Sequence, residues 1–330
     1  MYKIFWLGSP FFAPSITTSE CTVVQHDFKQ HETFSWDDIV LHAGFTPDIV
    51  VVADKSRPPF VRGIESFPCL TVFLCIDSHI HSWYPRYAQG FDLCLVSLRD
   101  HLKLFQNMRL EDDHILWMPA FAKDHDQPLP AEPLWDVLFV GTVNKEITPK
   151  RLIFLEHLRT ILGDRLHITQ GDYRTLYPKG KVILNYCEHG DLNFRVFEAL
   201  GCGGCLVTPA IANGQQELFC DRKHFLTYQP DNAEDAARKA LTLLNTPQLR
   251  ATLAAQGNAE INKAHRASHR AAAFLEALKK IDIKKTVDER CAKAASIHQQ
   301  YLRFLYLLHA ESSEAPAARA LYLAEAKRYS

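Results

Sequence analysis

The sequence is short of three things, and each shortage removes a class of protein. It carries no surplus of either charge: 37 Lys and Arg face 38 Asp and Glu over 330 residues. That balance argues against a chain built to hold nucleic acid or to sit on a polybasic membrane patch. It has no long apolar run. LTVFLCI at 70–76 and VLFVG at 137–141 are among the longest, strand-sized and far below the ~20 residues of a membrane span. It also lacks a cysteine framework. There are nine cysteines, an odd count, and Cys69, Cys75, Cys94 and Cys205 sit inside apolar stretches. That is the usage of reduced, buried thiols. The opening MYKIFWLGSP reads straight into a strand, without the basic segment and apolar stretch of a signal peptide. A cytoplasmic protein is expected.

Two missing motifs narrow the chemistry. No GxxxxGK[ST] occurs, which argues against a P-loop NTPase. No DxD-like carboxylate pair closes a strand, since Asp112-Asp113 precedes one instead. Metal dependence is therefore not expected.

What the chain does have is alternation. Short apolar runs near 2–8, 21–27, 48–53, 70–76, 91–96 and 114–118 are separated by longer polar or amphipathic stretches, the pattern of βα units around parallel sheets. DHDQPLPAEP at 124–133 interrupts it with three prolines and dense charge, and marks a domain boundary. A second series follows at 135–141, 165–169, 181–186, 204–208 and 224–228. Between these strands PKRLIFLEHLRTIL places apolar residues along one helical face. From 231 the chain reads as helical, with Thr246-Pro247 as N-cap and first residue of a helix that Gly257 should close. The tail reads as two further helices split near ESSEAP at 311–316, too rich in large apolar residues to hang free. A helical hairpin docked on the C-terminal domain or on a second subunit is expected. The predicted architecture is α/β: two doubly wound Rossmann-like domains, 1–128 and 129–278, facing a ligand cleft, with a helical extension at 279–330.

One stretch, NFRVFEALGCGGCLVT at 193–208, holds competing signals. Cys202 and Cys205 form a CxxC, but they follow a helix and feed a strand, the reverse of a redox motif. No second ligand pair for zinc is present. These cysteines are read as a turn and a core residue, with Gly201 closing the helix and Gly203 and Gly204 allowing the turn. Arg195 and Glu198 stand three apart on a different face from Val196, Phe197 and Leu200. They form either a surface ion pair or a ligand-facing pair.

VILNYCEHGDLNFRVFEALGCGGCLVTPA followed by ELFCDRKHFLTYQPDNAED, with WDVLFVGT at 135–142 and HRASHRAAAFLEAL at 265–278, resembles GT-B glycosyltransferases of the spore-maturation (CgeB-like) type. The resemblance spans roughly 70–278 and is most specific in 181–230. It implies a glycosyltransferase that takes its sugar from a nucleotide-sugar donor, a UDP-sugar being expected, and needs no other cofactor. Glu198 would accept hydrogen bonds from the ribose hydroxyls, and Arg195 would neutralise the diphosphate. Gly141 and Thr142 would form the turn near the phosphates, with Lys145 a weaker phosphate candidate. Asn185, Asn193, Asn213, Gly214 and Gln215 would complete the donor side. The paired-glutamate pattern of many retaining members is incomplete, because its first position is Gly190.

The acceptor is unnamed by the sequence and could be a glycan, a protein or a small molecule. Its side falls to the N-terminal domain, where CIDSHIHSW at 75–83 ends a strand with Asp77, His79 and His81, candidate bases for a hydroxyl. Gly8 and Ser9, in the first βα loop, would line that side. Two other readings remain open: a nucleotide-sugar epimerase of the same fold, and a catalytically silent binding module. In the second, and in any homo-oligomer, the helical tail would be the docking element.

Overall fold

The computed structural model describes residues 1–16, 19–29 and 32–329. The chain divides into two compact units, Met1–Met118 with Ala271–Ser330, and Pro119–Arg270. The sequence boundaries at 128/129 and 278/279 thus lie some residues beyond the observed ones.

In the first unit the strands are Tyr2–Gly8 (β1), Cys21–His26 (β2), Ile49–Ala53 (β3), Leu70–Cys75 (β4), Leu93–Val96 (β5) and Ile115–Trp117 (β6). They form a parallel sheet in the order β2-β1-β3-β4-β5-β6. Every residue of β3, β4 and β5 is buried, as expected where both faces of a parallel sheet are covered. The second unit holds Trp135–Val140 (β7), Leu166–Thr169 (β8), Gly180–Leu184 (β9), Leu206–Pro209 (β10) and Leu226–Tyr228 (β11). Their order is β11-β10-β9-β7-β8, again parallel. Each sheet has a strand from which the chain departs in both directions: β1 lies between β2 and β3, and β7 between β9 and β8. In such sheets the carboxyl ends at the point of reversal are where ligands bind. This is the two-sheet α/β GT-B architecture, and it carries C-terminal helices. Among the described residues no helix is long and apolar enough to cross a membrane.

Two expectations about helices need correction. Gly257 does not close its helix, which runs from Pro247 to Ala264. A Cβ at Gly257 would stand 2.7 Å from both the His224 carbonyl oxygen and Leu200 Cδ2. The glycine is there for close packing, which a local stop-signal reading cannot detect. The tail is also placed differently. Its helices Ile283–Ala292, Arg303–Ser312 and Pro316–Ala326 belong to the first unit, where Ile297, Leu302, Leu305, Tyr306 and Tyr322 join the core around Phe73, Tyr87 and Phe91.

One arginine explains that placement. Arg290 is buried, and its Nε donates to Asp92 Oδ1 at 2.8 Å. Its other nitrogens donate to the carbonyls of Ile64, Phe67 and Cys69 at 2.7–2.9 Å. Asp92 Oδ2 accepts the Thr71 N–H and hydroxyl at 2.8 and 3.0 Å. The pair is fully hydrogen-bonded, so its desolvation is offset only while both partners remain. Arg290→Ala should strand the Asp92 carboxylate and cost about 3–5 kcal/mol. Urea unfolding of the whole chain measures this, and a loss below about 1 kcal/mol would show that the tail is held by apolar packing alone.

Candidate functional site

In the second unit the site grows from the end of β9. Asn185, the next residue, is fully buried. Its Oδ1 accepts from Arg195 Nε at 3.0 Å, and its Nδ2 donates to Thr208 Oγ1 at 3.1 Å. Arg195 Nη2 donates to the Tyr186 carbonyl at 2.9 Å. One edge of the guanidinium is thereby fixed, and its carbon lies 5.9 Å from the centroid of the Phe139 ring. Gly141 follows β7 directly above. A Cβ there would meet the Phe139 ring at 3.3 Å and Arg195 Nη1 at 3.5 Å, so glycine leaves the arginine's remaining nitrogen approachable.

A second cation shares this ring, and the sequence reading missed it. Arg151 lies in the first turn of the helix Pro149–Leu162, also 5.9 Å from the Phe139 centroid. Its Nη1 donates to the Thr142 carbonyl at 2.7 Å. Burial and the facing Arg195 lower its proton affinity, while Glu188 and Asp191 oppose that. The Glu188 carboxylate accepts the backbone N–H groups of Lys150 and Arg151 at 3.0 and 3.1 Å. It is thus partly committed to the helix N-terminus, where a negative charge is favoured. Two guanidiniums at the reversal point of a parallel sheet, with one carboxylate, Glu188, that pairs with Arg151 Nε at 3.9 Å and is already engaged by the helix N-terminus, make a site suited to an anion.

Arg195 and Glu198 do not form an ion pair. Both lie on the helix Phe194–Gly201, but among the described residues no hydrogen bond reaches the Glu198 carboxyl. It faces Asp126, Lys123 and Arg195, and burial pushes its pKa up to about 7. The nearby Tyr173 hydroxyl already donates to Asp126, at 3.0 Å. A half-buried carboxyl lacking donors is what a ligand bearing hydroxyls would satisfy.

The other donor-side candidates divide. Asn185 is internal and acts on Arg195. Asn193 precedes the helix with extended backbone, yet its side chain turns to the Tyr186 carbonyl at 3.3 Å and its buried Oδ1 has no partner. Asn213 donates to the Gly190 carbonyl at 3.0 Å. Gln215 is buried, with its amide spent on Ile211 N and the Pro209 carbonyl at 3.0 Å each. The helix after Gly214 is a single turn, Gln215–Leu218, too short for its N-terminus to make a ligand site. Thr142 and Lys145 are exposed. The cysteines behave as core: both are buried, and burial pushes the Cys202 and Cys205 thiols up to about 12, far from a reactive thiolate.

In the first unit Gly8 ends β1 with φ 106°, and a Cβ there would stand 2.2 Å from the Ala53 carbonyl oxygen. Packing against β3 is enough to require glycine. The Ser9 carbonyl accepts the Trp6 indole N–H at 2.8 Å. The organising residue here is Asp54, which the sequence reading passed over. It is buried. Its Oδ2 accepts the backbone N–H of Ile76 and of Asp77 at 2.9 and 2.8 Å. Its Oδ1 accepts the Ser56 N–H at 2.7 Å and the Tyr84 hydroxyl. Asp77 therefore starts its loop beside a second carboxylate, and burial together with Asp54 raises its pKa. His81 Nε2 lies 2.9 Å from the Ser56 hydroxyl. His79 faces Asp77 and His101, and the Ser78 hydroxyl meets His101 Nδ1 at 2.9 Å. His81 meets Ser56 and Asp77 lies against Asp54, while His79 faces Asp77 and His101 instead. A strand ending Ala53-Asp54 next to the reversal strand was the signal that could have found Asp54.

Known proteins resemble this chain in fold and, over part of its length, in sequence. Residues 151–276 match the family described as glycosyl transferase-like, a stretch shorter than half of the chain. No curated protein matches in sequence. Among solved structures the chain is similar to HepE of Anabaena in complex with UDP and glucose, at 12% identity and TM-score 0.62, covering 85% of this chain and 100% of that one. A sucrose-phosphate synthase from Thermosynechococcus elongatus aligns at 11% identity and TM-score 0.56, covering 85% and 99%. A glycosyltransferase from Rickettsia africae aligns at 10% and 0.52, covering 85% and 99%. At these identities the structural likenesses establish the fold. The matched family, taken with that fold, supports a glycosyltransferase.

The raised Glu198 pKa carries a stability signature. A carboxyl raised from 4.5 to about 7 in the folded chain costs stability only where it must ionise, so the penalty grows as pH rises from about 4.5 to about 7 and is complete above. Glu198→Gln should therefore be close to neutral at pH 4.5 and stabilising by about 1–3 kcal/mol at pH 8.5. Denaturant unfolding at the two pH values tests it, and an equal effect at both would refute an unpartnered carboxyl.

Proposed function

We propose that the chain is a glycosyltransferase that moves a sugar from a nucleotide-sugar donor, a UDP-sugar, to an acceptor hydroxyl without a divalent metal. The observation that carries this reading is the pair Arg151 and Arg195 over the Phe139 ring, beneath the Gly141 turn and one helical turn from the unpartnered Glu198. Two fixed guanidiniums meet the charge of a diphosphate, and a carboxylate accepts from the vicinal hydroxyls of a ribose. HepE, solved with UDP and with UDP-glucose, suggests uracil as the base. The CgeB-like resemblance is in keeping with this reading, and nine free cysteines fit a reducing cytoplasm.

The chemistry follows from these parts. The acceptor oxygen bonds to the anomeric carbon as the bond from that carbon to the diphosphate oxygen breaks. The electrons of the broken bond stay on the nucleotide diphosphate, and its growing charge is met by Arg195 and Arg151. The acceptor's proton passes to a base. Asp77 is preferred, because burial and Asp54 raise its proton affinity above that of an ordinary aspartate. His79 and His81 stand next to it.

Arg195→Ala should lower kcat about a hundredfold or more, since it acts on charge that develops in the transition state. Glu198→Gln should instead weaken UDP binding about ten- to a hundredfold. Turnover should persist in excess chelator. Calorimetric titration with UDP, and product analysis with UDP-, GDP- and dTDP-sugars, are the measurements. Absence of binding to all of these would end the reading, and conversion of the donor to an epimer without acceptor would turn it into an epimerase.

A further inference from the structure

The helical tail has two faces, and only one is used within the first unit. Leu305, Tyr306, Ala310 and Tyr322 are buried in that unit's core, and the His309 ring meets Trp83 edge-on at 4.9 Å. The outer face is apolar too. On the helix Arg303–Ser312, Phe304 is 58% exposed and Leu307 and Leu308 are each 40% exposed. Their spacing sets them on one stripe. Leu323, 38% exposed, stands on the helix Pro316–Ala326 packed against it. Ala320 and Ala324 of that helix are also exposed, and small side chains let another helix come close. A single exposed leucine is ordinary, but four large apolar side chains on two adjoining helices form a patch.

The charges around the patch indicate what covers it. Arg303 and Arg86 lie at one end, Arg86 with its guanidinium carbon 5.8 Å from the centroid of the Phe304 ring. Glu311 and Glu314 lie at the other end. All four are exposed, and among the described residues none has an ion-pair partner. Arg303 and Glu311 are about 12 Å apart along the helix, with Leu307 midway. We propose that this face of the tail is the interface between two copies of the chain, packed antiparallel about a two-fold axis at Leu307. That axis sets each Arg303 against the partner's Glu311 and lays one apolar stripe on the other, the self-complementarity that a two-fold interface requires. An anionic lipid surface fits less well, because Glu311 and Glu314 would face it. The apolar middle supplies the affinity, and the charged ends fix the direction of packing. Helices of 10 and 11 residues are about 15 Å long. The patch is therefore smaller than the ~800 Å² per partner of a standard interface, and a micromolar dimer is expected.

Sedimentation velocity of the full-length chain from about 1 to about 100 μM should show a single-chain species giving way to a two-chain one. Leu307→Arg places like charges on the axis and should weaken association about tenfold or more. Its side chain is exposed, so the variant should melt with wild type. Arg303→Glu and Glu311→Arg should each weaken association several-fold. Combined, they should recover most of that loss, because the exchanged charges meet again across the axis. A chain that stays single at all these concentrations would overturn the proposal, as would a Leu307→Arg variant that associates like wild type. A double variant no better than either single one would overturn the antiparallel packing. Binding of phosphatidylglycerol vesicles by a chain that stays single would assign the face to a membrane instead.

Discussion

Parallel pairing makes every strand of a sheet end on the same edge, and the rest of this structure follows from that constraint. In each unit the chain leaves a central strand in both directions, so the loops after β1 and β7 part from their neighbours and open a gap that no crossover fills. Side chains that follow the strands then converge there whatever their separation in sequence. Gly8, Asp54 and Asp77 follow β1, β3 and β4 in the first unit. Gly141 and Asn185 follow β7 and β9 in the second. The two units apply one geometric rule twice with different residues: carboxylates and imidazoles in the first, guanidiniums in the second.

The buried polar groups separate residues that are satisfied within the fold from residues that are not. Asp54 receives four donors, and Asn185 uses both ends of its amide, on Arg195, Thr208 and Cys187. Such groups lower no cost by meeting a ligand; they aim a neighbour. Asp54 aims Asp77 and Ser56, and Asn185 aims Arg195. Glu198 is the opposite case, carrying a desolvation penalty that nothing in the chain relieves. The contrast between a satisfied carboxylate and an unsatisfied one is the physical distinction between support and contact, and sequence spacing does not contain it.

This also explains what could be read from the sequence. Strand positions were legible because parallel, doubly covered strands are uninterrupted apolar runs, and each of the runs identified became a strand within one or two residues at most ends. Glu198 and Arg195 were legible because a helix entering from a strand end displays them at fixed spacing. Arg151 was not, because its helix reads as an ordinary amphipathic face and only the fold brings that first turn to Phe139. Gly257 misled for the same reason, its neighbour being Leu200 some distance away in sequence. Arg290 and Asp92 could not be paired from sequence at all, since nothing local in either residue points to a partner across most of the chain.

The stretch 193–208 then resolves into two jobs carried by alternate faces of one element. Val196, Phe197, Ala199 and Leu200 are buried, and Cys202 and Cys205 continue that packing into β10. Their thiols are held protonated by the same burial that stabilises the turn. Arg195 and Glu198 are half-buried beside that core, and among the described residues no ion pair joins them. Arg195 is pinned to the end of β9, and Glu198 stands among Asp126, Lys123 and the rings of Tyr173 and Tyr177. Had they paired as a surface i,i+3 bridge, each would have met the other's charge for a few tenths of a kcal/mol. Keeping them apart leaves both with unmet capacity on one helix face. That state is unfavourable for the folded chain alone, and the diphosphate and diol of the proposed donor would relieve it at both ends.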